Sequence, residues 1–245
     1  MKISYSAVWD DTLRLLRENG GLMAAVAGVF LFLPALLIAQ FLPPPETTDP
    51  NRMFSDLLEY YREALPWLAL SGLVAMVGGA AILRLALVAG TSVAAAIVFG
   101  AMLLPFYFLL SVLSALIFAA GLILLIVPGL YLIGRLAPAA PIIVAENRRN
   151  PIAVIGRAFE ITRGQGWAVF GLILLVAIVG MIATGVAAML FGTVFLLAAG
   201  QDIGRLLVAV VESGLNAAFT TILLTLYAAI YRALVPQQSA ARVFE

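Results

Sequence analysis

A cluster of four arginines is the first feature of this sequence that could bind a ligand. The four lie within 16 residues, at Arg148, Arg149, Arg157 and Arg163. On the inner surface of a membrane such a cluster attracts anionic lipid head groups, although four cations are at the low end for this kind of site. Glu146 and Glu160 dilute its charge. Either these side chains bind anionic lipid, or the segment that carries them is only a structural anchor.

A second candidate site consists of polar residues inside apolar stretches, namely Arg135, Glu212 and Asn216. Arg135 and Glu212 lie at overlapping depths, roughly 8 to 14 Å from the outer end of their spans at about 1.5 Å per residue. Charged side chains within a bilayer are tolerated where they face the bundle interior and form a pair. We therefore predict that Arg135 and Glu212 are neighbours, with Asn216 one turn further along. The group would either fix helix packing or form a polar site for a lipid head group or a solute.

Catalytic chemistry has little support in this sequence. The chain contains no His and no Cys, which excludes imidazole catalysis, thiol chemistry and the usual nitrogen and sulfur metal ligands. It contains no phosphate-binding loop and no GxSxG motif, so we predict no metal, no cofactor and no enzymatic activity. A serine-based or carboxylate-based membrane enzyme is a further alternative. With 14 basic and 13 acidic side chains, no strong net charge attracts nucleic acid.

The composition indicates which elements must hold these residues. Hydrophobic residues make up 64% of the chain and charged residues 11%, against about half and about a quarter in soluble domains. Long intervals without a charged residue identify membrane spans, since about 20 helical residues cross the hydrocarbon of a bilayer. The intervals predict an all-α, polytopic transmembrane bundle that forms a single domain over residues 1–245. Its six spans are placed at residues 21–42, 67–87, 102–127, 130–145, 167–198 and 203–234.

Prolines predict where the spans turn. Pro128 and Gly129 should separate the third span from the fourth, because proline lacks a backbone donor and glycine readily reverses the chain direction. Pro138 and Pro141 should bend the fourth span. The fifth span, at about 32 residues, is longer than a bilayer requires, so it must tilt, break or project from the surface.

Two amphipathic segments are predicted to lie in the membrane plane on the cytoplasmic face, at residues 1–20 and 147–165. In the first, Gly20 should end the helix. In the second, Asn150 caps the helix and the following proline occupies its first turn. Residues 91–99 resemble these segments only loosely, because they carry no charge.

The distribution of basic residues predicts the orientation of the chain. With the N-terminus in the cytoplasm, ten basic residues lie inside and three lie outside, which is a clear positive-inside bias. Both termini, including a tail at residues 236–245, are then cytoplasmic. The loop at residues 43–66 is the main external feature.

A stripe of small residues in the fifth span indicates close helix packing. The stripe recurs every fourth position, at Gly180, Thr184, Ala188 and Gly192. Small side chains let two helices approach closely, either within one chain or between two copies. Packing within the chain is one interpretation, and a homo-oligomer formed through this face is the other.

Residues 127–165 resemble a bacterial sequence pattern. They contain PGLYL at residues 128–132, then Arg135, Pro141 and Glu146, and they end in AFEITRGQ. The segment is similar to the membrane domain of glycerophosphoryl diester phosphodiesterases and to YciC-like inner-membrane proteins, whose last element reads much like SWELTRGN. The resemblance implies a polytopic bacterial inner-membrane protein of poorly defined role. It does not imply phosphodiesterase activity, which the fused enzymes carry in a separate metal-dependent barrel with catalytic histidines.

Two functions from different classes follow. In the first, the chain is a non-enzymatic integral membrane protein that organises the membrane or contacts anionic lipid through its inner-face arginines. In the second, it is a transporter or lipid-handling protein with a polar intramembrane site near Arg135 and Glu212, opened by the proline-broken fourth span. A cavity around these two side chains would favour the second function, and a dry, closely packed pair would favour the first.

Overall fold

The structure is a computed structural model that describes residues 3–43, 45 and 49–235. Within these residues every regular element is a helix. In chain order the helices are α1 (Tyr5–Ala27), α2 (Leu33–Phe41), α3 (Pro50–Leu87), α4 (Val93–Leu124), α5 (Ile126–Leu136), α6 (Ala139–Ala145), α7 (Pro151–Ile161) and α8 (Gly166–Leu234). The predicted tail at residues 236–245 lies outside the described residues.

Six helical segments are long and apolar enough to cross a bilayer, as the sequence predicts. They are Tyr5–Phe41, Arg52–Leu87, Val93–Leu124, Ile126–Ala145, Gly166–Gly200 and Ile203–Leu234. Large apolar side chains such as Met102, Leu116 and Met181 are exposed along them. In a bilayer such surface faces lipid tails, which are as apolar as the side chains themselves. The predicted all-helical class and the six candidate spans are confirmed.

The N-terminal amphipathic segment is not a separate helix. The backbone of α1 continues through Gly20 to Ala27, so the prediction that Gly20 ends the helix is wrong. The residues that follow are apolar, and breaking backbone hydrogen bonds beside lipid costs several kcal/mol. A π-helical turn, Gly28–Phe32, then joins α1 to α2 just before Pro34, whose missing N–H disturbs the regular bonding of the preceding turn.

The loop between α2 and α3 is shorter than the predicted 43–66, because α3 begins at Pro50. Proline suits the first turn of a helix, where its N–H would have no partner in any case. The Tyr60 hydroxyl of α3 donates to the Leu42 carbonyl at 3.0 Å. This bond ties the beginning of α3 to the chain that leaves α2.

The turn between the third and fourth spans lies three residues earlier than predicted. Leu125 adopts extended backbone, with φ −165° and ψ 148°, and α5 starts at the next residue. Pro128 is therefore in the first turn of α5, the helical position at which a missing donor matters least. The helix is interrupted at Pro138, one of the two prolines predicted to bend the fourth span, since α5 ends at Leu136 and α6 begins at Ala139. Pro141, the other, lies in the first turn of α6.

Helix α7 forms where the sequence predicts a capped helix. The Asn150 side-chain oxygen accepts the N–H groups of Ile152 and Ala153 at 3.0 and 3.3 Å. Its position in the membrane plane stays a prediction.

A single residue divides α8 into two arms that run back along each other. Gly200 has φ 75° and ψ −178°, a conformation that favours glycine. The first arm, Gly166–Gly200, contains 35 residues without a break, about 50 Å of helix against about 30 Å of hydrocarbon. Of the three outcomes predicted for the fifth span, tilting or projection therefore applies.

Glycine lets α5 pack directly on the beginning of α8. A methyl group at Gly134 would overlap the Gly166 carbonyl oxygen and lie 2.9 Å from the Phe170 amide nitrogen. Because both obstacles are backbone atoms, only glycine fits here. This approach fixes where the neighbouring Arg135 side chain lies.

Candidate functional site at the charged end of the bundle

An ion pair joins the first helix to the last. In α1, the Oδ2 atom of Asp11 lies 3.5 Å from Nε of Arg232, near the end of α8. The same carboxylate pairs with Arg14, three residues further along α1. The beginning of α1 and the end of α8 therefore lie at the same end of the bundle.

Glu146 is the centre of a second group of polar contacts. It follows α6 directly and accepts a hydrogen bond from Arg148 Nε at 2.5 Å. Its Oε1 atom lies 3.5 Å from Arg157 Nε in α7 and accepts a hydrogen bond from the Tyr231 hydroxyl of α8 at 3.4 Å. One carboxylate thus connects α6, α7 and α8. Because Tyr231 and Arg232 are adjacent, the two groups form one layer, which we name the charged end.

Arg157 is paired twice. Its Nη1 atom donates to Oε2 of Glu160 at 2.8 Å, and this bond is the main reason that the pKa of Arg157 is raised above its ordinary value. The guanidinium is therefore cationic at every physiological pH. Two of the four arginines predicted to contact lipid, Arg148 and Arg157, are already neutralised by carboxylates of the chain.

The other two predicted arginines, Arg149 and Arg163, are exposed. The Arg149 guanidinium lies 6.0 Å from the centre of the Phe106 ring, at the limit of a cation–π contact. Arg163 follows the end of α7. Within the described part of the chain neither side chain has a carboxylate partner. They are the members of the cluster whose charge is available to an external anion.

Arg135 is bound by Tyr131 of α5 and Phe159 of α7, close to the beginning of α8. Its Nη1 donates to the Tyr131 hydroxyl at 3.0 Å, and its Nη2 donates to the Phe159 carbonyl at 2.5 Å. The guanidinium also lies 4.8 Å from the centre of the Phe159 ring. Tyr131 in turn packs against Trp167, with ring centres 5.4 Å apart. The chain itself thus accepts hydrogen bonds from two of the five N–H donors of Arg135, and Nε is buried without a hydrogen-bond partner among the described residues.

The predicted proximity of Arg135 and Glu212 is wrong. The Arg135 side chain lies beside Gly166, where the first arm of α8 begins. Glu212 lies seven residues before Phe219, whose ring packs on Gly180 of the first arm. Because the arms run antiparallel, Glu212 is level with a point about 30 Å further along the first arm, at about 1.5 Å per residue. The prediction measured the depth of each residue from the outer end of its own span. It failed because the outer ends of the fourth and sixth spans do not lie at the same level.

Glu212 and Asn216 are both exposed on the second arm of α8. The Asn216 side-chain oxygen accepts a hydrogen bond from the Thr220 hydroxyl at 3.3 Å. The three residues of the predicted polar site are therefore not brought together.

The stripe of small residues packs within the chain. Gly180 receives the Phe219 ring, and Gly192 lies against Val208, so both glycines contact the second arm of α8. The Thr184 hydroxyl donates to the Gly180 carbonyl at 2.8 Å. Packing within the chain accounts for these contacts, and a homo-oligomer formed through this face stays a prediction.

An apolar groove of about 440 Å³ runs along α8 beside the beginning of α1. Its lining comes from both arms of α8 and from two aromatic residues of α1: Tyr5, Trp9, Leu172, Leu175, Val176, Val179, Gly180, Ala183, Phe219 and Ile222. Tyr5 and Trp9 are 41% and 37% exposed. Aromatic side chains with one polar group are typical of the boundary between lipid tails and water.

The turn that contains Arg163 lies near the Tyr5 end of this groove. The Ile3 amide donates to the side-chain oxygen of Gln165 at 2.8 Å. Gln165 follows Arg163 by two residues, and Ile3 precedes Tyr5 by two. The exposed Arg163 is therefore carried by a turn that is bonded to the segment leading into the aromatic end of the groove.

Sequence reasoning missed the charged end and the groove. Asp11, Glu146 and Arg232 are separated by more than 80 residues from one another, and no spacing rule links such positions. The signal that was present is indirect: acidic residues lie in segments otherwise rich in arginine, where each is a candidate partner.

Comparisons with protein families, curated proteins and solved structures gave no match for this chain. The resemblance of residues 127–165 to the membrane domain of glycerophosphoryl diester phosphodiesterases stays a prediction.

Proposed function

We propose that this chain is a non-enzymatic, multi-pass membrane protein that binds an anionic phospholipid in the leaflet at its charged end. The observation that carries the proposal is the apolar groove, whose aromatic end lies near the turn that contains the exposed Arg163. The positive-inside bias assigns this end to the cytoplasmic leaflet. The resemblance described above supports a bacterial inner membrane as the location.

The dimensions of the groove suit one acyl chain. Along the first arm of α8 its lining extends from Leu172 to Ala183, which is about 17 Å at about 1.5 Å per residue. One leaflet contributes about half of the roughly 30 Å of hydrocarbon. A chain that enters beside Tyr5 would therefore occupy the groove to about the depth of its own leaflet.

The charges favour an anionic head group over a zwitterionic one. Arg163 and Arg149 have no carboxylate partner among the described residues, so both guanidinium groups can bind an external anion. Arginine forms paired hydrogen bonds with phosphate oxygens. Binding would thus combine an apolar contact along α8 with a cation–phosphate contact at the surface.

A site shared by Arg135 and Glu212 is not part of this proposal, since these residues lie far apart. Arg135 instead stabilises the junction of α5, α7 and α8 through Tyr131 and Phe159.

The proposal is tested by native mass spectrometry of the protein released from nanodiscs that contain phosphatidylglycerol and phosphatidylcholine. We expect retained phosphatidylglycerol in the unmodified protein and several-fold less in Arg163→Gln. Arg62→Gln removes a cation of α3 that is also exposed, and this variant should retain as much phosphatidylglycerol as the unmodified protein. Equal retention by all three proteins, or equal retention of both lipids, would contradict a site for anionic lipid.

The groove is tested separately by filling it. Ala183→Phe places a ring in the groove lining, whereas Val186→Phe places one on an exposed part of the same helix. We expect loss of retained lipid in the first variant only. Unchanged retention in Ala183→Phe would show that the acyl chain lies elsewhere.

A further inference from the structure

A second cavity lies between α4, the break that separates α5 from α6, and α8, and it opens at the surface of the bundle. Its volume is about 330 Å³. Its lining includes four hydroxyl-bearing side chains beside the apolar ones, namely Tyr107, Ser111 and Ser114 of α4 and Tyr227 of α8. We name it the hydroxyl pocket. The residues of α4 follow the spacing i, i+4 and i+7, which places them on one helix face.

Three of these hydroxyls are not bonded by the chain. The Ser111 hydroxyl donates to the Tyr107 carbonyl at 2.9 Å. The hydroxyls of Tyr107, Ser114 and Tyr227 make no hydrogen bond to any part of the chain that the structure describes. A hydroxyl in an apolar environment is stable only with a partner. The pocket therefore presents three donors to whatever fills it.

The backbone adds an acceptor. In a continuous helix the Ala137 carbonyl would accept the N–H of residue 141, but that residue is Pro141 and has none. Ala137 lines the hydroxyl pocket at the break between α5 and α6. Broken helices are tolerated at membrane depth where they are buried in protein or line a cavity, and in many membrane proteins they bind a ligand.

The lining excludes charged ligands and favours an amphiphile. No lining residue carries a charge, so an ionic head group would lose its hydration without gaining a counterion. The other lining residues are apolar, among them Leu110, Phe118, Ile133 and Leu136. The complementary ligand has several oxygen acceptors, one hydroxyl donor, no charge and an apolar body.

We propose that the hydroxyl pocket binds the uncharged ester head of an acylglycerol. The ester carbonyls accept hydrogen bonds from Tyr107, Ser114 and Tyr227, and the free hydroxyl of the ligand donates to the Ala137 carbonyl. This site is distinct from the groove of the proposed function, which is lined by other residues and takes an anionic lipid. The two proposals can fail independently.

The test is photolabelling of the full-length protein in nanodiscs with a diacylglycerol that carries a diazirine near its esters, followed by peptide mapping. We expect labelled residues in α4, α5 or α6. Unlabelled diacylglycerol should compete, and phosphatidylglycerol should not. Tyr107→Phe and Ser114→Ala should each reduce labelling roughly two- to tenfold, as expected for the loss of one hydrogen bond.

Two controls keep the result decisive. Tyr61→Phe removes an exposed hydroxyl outside the hydroxyl pocket and should leave labelling unchanged. Thermal unfolding in micelles identifies a variant that does not fold, in which case Ser114→Ala, the smaller change, decides. The proposal is overturned by equal labelling in all variants, or by competition from phosphatidylglycerol as strong as that from diacylglycerol. Competition from free glycerol alone would assign the hydroxyl pocket to a soluble polyol and would equally overturn it.

Discussion

Asp11 and Arg232 lie 221 residues apart in sequence, and their charged groups are 3.5 Å apart. The pair joins the helix that begins the chain to the helix that ends it. Both side chains are partly exposed, at 18% and 33%. The interaction is therefore a partly exposed ion pair that links α1 to α8, and not a buried one.

We expect Asp11→Asn and Arg232→Gln to be coupled. In a double-mutant cycle the coupling free energy should be about 0.5 to 1 kcal/mol, the range for exposed pairs, and should fall as salt rises. Denaturant unfolding in micelles measures it. Asp10→Asn, at the adjacent exposed position, should show no coupling to Arg232→Gln; equal coupling at both positions would mean that only net charge matters.

Glu146→Gln should destabilise the protein more than Glu160→Gln. Glu146 pairs with Arg148 and Arg157 and accepts a hydrogen bond from Tyr231, whereas Glu160 is 68% exposed and, among the described residues, pairs with Arg157 alone. We expect Glu146→Gln to lower the free energy of unfolding by about 1 to 3 kcal/mol, and Glu160→Gln to lower it by less than about 1 kcal/mol. If the two variants unfold at the same denaturant concentration, Glu146 does not organise the charged end.

Arg135→Lys should be almost as destabilising as Arg135→Gln. Lysine keeps the charge but loses the planar group that binds Tyr131 and lies over Phe159. We expect both variants to lose about 1 to 2 kcal/mol of unfolding free energy. Combining Arg135→Gln with Glu212→Gln should be additive within about 0.5 kcal/mol, because the two residues do not meet. A larger coupling would restore the pairing that the structure contradicts.

Gly134→Ala and Gly185→Ala form a matched pair within membrane-spanning helices. A methyl group at Gly134 meets backbone atoms of α8, and one at Gly185 meets nothing within 4 Å. We expect the first to cost about 1 to 3 kcal/mol and the second to be neutral or stabilising by up to about 1 kcal/mol. Thermal unfolding of both proteins in the same micelles measures the difference. Equal melting temperatures would mean that α5 does not pack on α8 as described.

The number and class of the helices could be predicted because a bilayer imposes a simple rule. A charge in hydrocarbon is costly, so charge-free intervals mark the spans directly. The predicted ends of two helices were wrong, at Gly20 and at Pro128. Gly20 is a stop signal in water, yet α1 continues through it, and Pro128 marks a turn that the chain makes at Leu125.

The candidate site could be predicted only in part, because its contacts join distant segments. The four arginines were recognised from composition, but Glu146 neutralises Arg148 and Arg157 through a geometry that spacing does not reveal. The groove arises where α1 crosses both arms of α8. The pairing of Arg135 with Glu212 failed because depth within a span locates a residue only when the spans share a common level.

A lipid site in the cytoplasmic leaflet requires the charged end to face the cytoplasm, with an even number of crossings between the described termini. Since the chain has no native cysteine, single substitutions report topology directly. We predict that a membrane-impermeant maleimide labels Ser55→Cys and Ala198→Cys in intact cells, and labels Ser6→Cys and Glu160→Cys only after the cells are opened. Labelling of Ser6→Cys or Glu160→Cys in intact cells would place the charged end outside and contradict the account.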